Sequence, residues 1–209
     1  MKTTILTLVG LLGGALVDAQ WTVVSKPFQL ILQSTNATLD GTCKYTCSIF
    51  TRLTNIPSAL STCHVGAARE TLCTTSTRVP KDTTFQHNTS ISDSSASVND
   101  SPGMLWRLLV AAGGIEHPSP MQIIQDGQTD LAMLNFFPGQ PFTAIRFAED
   151  GTMYVSLNVN GKGDQKIESW YVCSTAREHE METLNWKITM SGAPQNPTCQ
   201  RVRVQRIYA

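Results

Sequence analysis

Four histidines and a scatter of carboxylates are the residues of this chain whose side chains could carry acid–base chemistry. A catalytic imidazole needs a partner held within hydrogen-bond reach, and each histidine here has a structural explanation that outweighs a catalytic one. His64, beside Cys63, reads as a partly buried structural imidazole. His87 precedes a glycosylation sequon, His117 sits in a proline-rich stretch, and His179 falls in the charged run Arg177-Glu178-His179-Glu180. The segment from His179 begins like a zinc-protease motif, but Thr183 stands where the second histidine must be, which removes half of the metal-binding face. No Gly-x-Ser-x-Gly elbow is present to carry a serine nucleophile. Glycoside hydrolysis asks only for two carboxylates at a set separation. Glu70, Glu116, Asp126, Asp130, Glu149, Asp150, Glu168 and Glu178 supply carboxylates without any spacing that pairs them. No catalytic residue, cofactor or metal ligand is therefore assigned, and a carboxylate-dependent glycoside hydrolase is the alternative reading.

The six cysteines, Cys43, Cys47, Cys63, Cys73, Cys173 and Cys199, are an even set, which in an exported chain reads as disulfides. Cys43 and Cys47 are spaced loosely like a metal pair, yet no second cluster with ligand spacing follows. Proximity along the chain favours Cys63 with Cys73 and Cys173 with Cys199, leaving Cys43 and Cys47 for each other. Three sequons, at Asn36, Asn88 and Asn99, meet the N-glycosylation rule and are expected on exposed loops. Trp106, Trp170 and Trp186, with Tyr171, are rings that either fill a core or stack on a sugar face; core is the favoured role, and stacking on a ligand is the functional one.

Export follows from the first nineteen residues. A basic Lys2, an apolar run from Ile5 to Val17 and the small-residue close at Ala19 make a secretory signal peptide over 1–19. The run is too short to serve well as a membrane span. The chain's formal charge is zero, with 16 basic and 16 acidic residues, and removing Lys2 and Asp18 leaves it zero. A neutral surface carries no electrostatic footprint for nucleic acid or an anionic membrane. The mature length, 20–209, fits a single domain able to bury a core of its own.

The elements that must position these side chains are strands. Phe28–Gln33, Met104–Val110, Phe142–Phe147, Met153–Val159, Ser169–Cys173, Leu184–Ile188 and Arg201–Tyr208 alternate or are rich in strand formers. Asp150-Gly151 between two of them predicts a tight hairpin. The last strand places Val202, Val204 and Arg206 on one face and Arg201, Arg203, Gln205 and Ile207 on the other. Val65–Leu72 reads as a short helix of marginal length, or as small residues marking close approach between strands. Residues 116–120 read as a proline turn, and 90–101, rich in serine and aspartate, as an exposed loop. The fold class is all-β, an antiparallel β-sandwich of jelly-roll type, with a β-trefoil or closed barrel fitting the same pattern.

The succession Pro27-Phe28-Gln29-Leu30-Ile31-Leu32-Gln33-Ser34, Leu39-Asp40-Gly41, the Cys63-His64-Val65-Gly66-Ala67-Ala68 segment reaching Cys73, Trp170-Tyr171-Val172-Cys173 and Pro194-Gln195-Asn196-Pro197-Thr198-Cys199 resembles a family of secreted fungal proteins with a domain of unknown function. The resemblance spans nearly the whole mature chain and implies secretion and the disulfide pairing, with no activity and no catalytic residues to carry over. Against that pattern, 42–59 is an insertion that brings Cys43 and Cys47, either a stapled surface excursion or translated intron sequence. The expected function is that of a secreted, disulfide-bonded, non-enzymatic binding or surface-interaction module. Its expected partner is a cell-wall polysaccharide or an extracellular host or protein surface, and a host-interaction or inhibitor role is the third reading.

Overall fold

Period-two alternation becomes strand throughout the computed structural model, which describes residues 23–34, 59–75, 84–89, 100–111, 113–125, 127, 129–139, 141–159, 161–176, 180–189 and 191–208. The expectations for the signal segment 1–19, for Asn36, Cys43, Cys47 and Asn99, for 42–58, 90–99 and His179 lie outside those residues. The strands are β1 (Val23–Val24), β2 (Phe28–Ser34), β3 (Ala59–Gly66), β4 (Arg69–Thr75), β5 (Gln86–Thr89), β6 (Gly103–Val110) and β7 (Glu116–Gln125) in the first half. The second half adds β8 (Leu131–Phe136), β9 (Ala144–Phe147), β10 (Met153–Asn158), β11 (Asp164–Ile167), β12 (Trp170–Ala176), β13 (Glu180–Lys187) and β14 (Gln200–Tyr208). No helix occurs among the described residues, so none there is long and apolar enough to cross a membrane.

The fold is all-β and antiparallel. One path of pairings runs β11-β10-β9-β6-β7-β8-β13-β12-β14-β2-β3-β4, with β5 lying between β1 and β6. It folds over on itself at β7. Glu116–Pro120 pair with β6, and Met121–Gln125 pair with β8, so one strand belongs to both layers. The far end also returns, because β4 meets β8 and β13 as well as β3. The result is a sandwich with one end drawn together rather than a regular barrel. Between the layers, Phe28, Phe85, Phe136, Phe147 and Trp170 are completely buried beside the aliphatic residues of β2, β3, β4, β6 and β8. Burying such a side chain contributes about 1.5–3 kcal/mol.

Local chemistry explains the turns. The expected hairpin is present: Met153 faces Phe147, Gly151 takes φ 84°, and Asp150 Oδ1 accepts the Thr152 N–H at 2.9 Å. A side chain at Gly151 would also collide with the Arg206 carbonyl. The alternation read in the last strand holds, with Val202, Val204 and Arg206 buried and Arg201, Arg203 and Ile207 exposed.

Two local expectations are corrected. Residues 65–72 are not helical. They form the tip and return arm of the β3–β4 hairpin, with Ala68 at φ 51°, and cross-strand pairing plus the Cys63–Cys73 bridge outweighs what one or two helical turns could gain. Residues 116–120 are not a turn but the start of β7. Over these residues the strand pairs on one side with β6, Pro118 facing Leu108 and Pro120 facing Trp106, and a proline is tolerated at such an open edge. The turn lies just before, at Gly113-Gly114, both with positive φ.

Both described disulfides match the expected pairing. Cys173 and Cys199 stand opposite each other between β12 and β14, with Cα atoms 4.1 Å apart. Cys63 and Cys73 lie diagonally across β3–β4 at 6.1 Å.

Candidate functional site

β11 is a short edge strand paired with β10, and the chain leaves it through Glu168 and Ser169 to enter β12. That exit opens a groove of about 420 Å³ lined chiefly by Lys166, Glu168, Ser169, Tyr171, Lys187 and Arg201. Its wall is fixed by main-chain contacts. Lys187 N donates to Ser169 O at 2.9 Å, and Ser169 Oγ donates to Lys187 O at 2.9 Å.

Glu168 is the centre of charge. Its Oε1 lies 3.0 Å from Lys166 Nζ, its Oε2 lies 3.3 Å from Arg203 Nε, and its carbonyl accepts from Arg201 Nη2 at 3.2 Å. Lys166 Nζ also stands 5.1 Å from the centre of the Tyr154 ring. The Tyr154 hydroxyl donates to Asp100 Oδ1, while Arg146 Nη1 donates to the Asp100 carbonyl at 2.7 Å. Burial, reinforced by Asp100, pushes the Tyr154 hydroxyl up to about 12, so it stays a donor. A continuous band thus runs Arg203, Glu168, Lys166, Tyr154, Asp100, Arg146, joining the consecutive strands β9, β10 and β11 to β14 and to Asp100.

Behind the groove, Lys187 is 1 % exposed. Its ammonium donates to Thr189 O at 2.6 Å, to Thr189 Oγ1 and to Ser191 O at 2.7 Å, with Asp130 Oδ2 at 3.9 Å. Asp130 Oδ1 in turn accepts the Gln195 N–H. Asn196 Oδ1 accepts from Thr198 N at 3.0 Å and from the Thr198 hydroxyl, and Asn196 Nδ2 donates to Ser174 O at 3.0 Å. These contacts anchor the 188–199 segment to β12 just before the Cys173–Cys199 bridge. The segment Pro194–Cys199 is therefore a structural clamp at the groove's rim.

The other sequence candidates separate clearly. Trp170 and Trp186 are 0 % and 6 % exposed, packed edge-on with ring centres 4.6 Å apart, and Trp170 Nε1 donates to Met153 O at 2.7 Å. Neither presents a ring face to a ligand, which corrects the stacking role for both; directly opposed positions on β12 and β13 lock them into the core. Trp106 is half-buried on β6 and does not line the groove; it is bonded through Nε1 to Asn88 Oδ1 at 2.7 Å. Asn88 itself lies within β5 rather than on a loop.

Among the histidines, His64 and His117 are exposed, and the buried one is His87, at 2 %. His64 was the residue expected to be partly enclosed; its place on the hairpin's outer face leaves it in solvent. Glu70 pairs with Arg107 at 2.9 Å across the layers, and Asp130 serves Lys187 and Gln195. Glu149 and Asp150 occupy the β9–β10 turn, as expected of turn residues. No group of three or more metal-ligating side chains occurs among the described residues. The groove residues Lys166, Lys187 and Arg201 carry no local motif and had no sequence signal, since they meet only when β11, β12, β13 and β14 assemble.

A family model described as a domain of unknown function (DUF7907) matches residues 25–208. No curated protein and no solved structure matches the chain.

Proposed function

We propose that this chain, which belongs to the DUF7907 family, is a non-enzymatic extracellular binding module whose groove beside β11 takes a polar ligand, with cell-wall carbohydrate as the class that fits best. Export is supported by the signal-like segment 1–19 and by the two disulfides, which persist in oxidising compartments. The resemblance to secreted fungal proteins supports a role outside a fungal cell, at a wall, matrix or host surface.

The observation that carries binding over hydrolysis is the state of Glu168. Both carboxylate oxygens already hold a cation, Lys166 on one and Arg203 on the other. A glycosidase needs one carboxyl group kept as an acid and a second facing it across the scissile bond. Glu168 instead orients the cationic donors, and Lys166, Arg201 and the half-buried Tyr171 offer donors and an aromatic ring to hydroxyl or carboxylate groups.

The experiment is a pull-down of the mature, oxidised protein on insoluble chitin, β-glucan and cellulose, with the supernatant assayed for released sugar. Retention without release, weakened about tenfold by Tyr171→Ala or Arg201→Ala, is the expected result. Released sugar would promote an extracellular glycoside hydrolase. Neither retention nor release would move the assignment to a protein partner, as in a host-interaction or inhibitor role.

A further inference from the structure

The outer face of β6 is unusually apolar for a sheet surface. Met104, Trp106, Leu108 and Val110 alternate along it, with Leu108 39 % and Val110 62 % exposed, and Val24 on β1, 51 % exposed, extends the same face. Pro118 and Pro120 of β7 border it. Contiguous exposed apolar surface of this kind marks an interaction site or an aggregation liability.

In the middle of this face stands Asn88, the first residue of the sequon Asn88-Thr89-Ser90. It lies opposite Val24 on one side and Met104 on the other, with Trp106 diagonal to it about 7 Å along the strand. The indole N–H of Trp106 is only a donor, so the amide atom 2.7 Å from it must be the oxygen. That contact fixes the side chain and leaves Nδ2, the atom a glycan is joined to, unused by Trp106.

We infer that Asn88 carries an N-linked glycan whose first sugars lie on Trp106 and Met104, and that this glycan is the cover of the apolar β6 face. In the linking step Nδ2 loses a proton and bonds to C1 of the first sugar. The bond from C1 to the diphosphate of a lipid-linked oligosaccharide donor breaks, and the diphosphate leaves with the electron pair. The occupant is a saccharide because the covalent attachment point is built into the face. The apolar face of a pyranose and its acetamido methyl group match an indole ring with Met104 beside it on the same face of β6. Trp106 is then a sugar-stacking residue whose ligand is the protein's own modification, apart from the residues that line the proposed binding groove.

The test uses the full chain secreted from a eukaryotic host. Ser90→Ala removes the sequon while leaving Asn88 and Trp106 untouched, and Trp106→Ala removes the platform. Peptide mass mapping before and after enzymatic deglycosylation should find Asn88 occupied in the parent chain and free in Ser90→Ala. Urea unfolding of the parent, the two single variants and the double variant should then return a coupling of about five- to tenfold in the unfolding equilibrium constant. An unmodified Asn88 in the secreted protein overturns the inference. So does additivity of the two substitutions, or a glycosylated parent that dimerises through this face and loses the dimer in Trp106→Ala.

Discussion

His87 makes the stability of this protein pH-dependent. Its imidazole is 2 % exposed, with Nε2 donating to the Ile145 carbonyl at 3.3 Å and the ring edge-on to Phe147 at 5.1 Å. Burial, with the positive charge of Arg206 adding to it, brings its pKa down from 6.5 to about 4, against the opposing pull of the Ile145 and Gly103 carbonyls. The folded state therefore holds a neutral ring where the unfolded chain would take up a proton. Between those two values the unfolded state binds more protons, so stability falls as pH falls from about 6.5 towards 4 and is fully present above that range. Integrating the linkage, going from about pH 7.5 to about pH 5 costs roughly 2 kcal/mol from this one group, with a limit near 3 kcal/mol at lower pH. Asp150 is also shifted down, but there the fold favours the charged form. The Thr152 amide and hydroxyl hold its carboxyl below the usual range, so its contribution is lost only at still lower pH. Urea melts across this pH range should show the loss in the parent chain, and His87→Gln should flatten it while lowering stability at neutral pH. A parent chain equally stable at both ends of the window, or a His87→Gln variant with the parent's slope, would refute the argument.

Gly103→Ala places a Cβ 2.4 Å from the Asn88 carbonyl, fixed by strand pairing, and 2.5 Å from His87 Nε2, held at the Ile145 carbonyl, and is expected to cost about 3 kcal/mol or abolish folding, read by thermal melts of the soluble fraction. Loop-closure entropy ranks the bridges: replacing Cys173 and Cys199 by alanine, 26 positions apart in sequence, should cost roughly 3.5 kcal/mol, and replacing Cys63 and Cys73, 10 apart, roughly 2.7 kcal/mol, measured by urea unfolding of the two double variants. Lys187→Met leaves the Thr189 and Ser191 carbonyls without their donor and Asp130 without its cation. It is expected to lose about 3 kcal/mol and to loosen the 188–199 segment, seen as faster amide exchange there, whereas a protected segment would show that the ammonium is dispensable.

What the two family-like motifs mean is clear only in three dimensions. Cys63–Ala68 is a disulfide-stapled hairpin tip, and Pro194–Cys199 is a clamp on β12. Both specify backbone geometry. A resemblance carried by them therefore implies the disulfide pairing and leaves the activity open.

The sequence by itself determined the all-β class, the Asp150-Gly151 hairpin, the faces of β14 and the two described disulfides. Each rests on local rules: period-two alternation, a turn dipeptide, or cysteines close in the chain. Tertiary structure alone decided which strands are neighbours, and through that everything functional. The alternation of β12 and β13 cannot say that Trp170 and Trp186 face each other and vanish into the core. Nor does a proline-rich stretch announce that an open strand edge will accept it. Glu168 became a clamp rather than an acid because β14 brought Arg203 to it from 35 residues away, and His87 became titratable in a new range because β9 and β14 closed over it. Burial and charge proximity depend on long-range packing, and no window of sequence contains both partners.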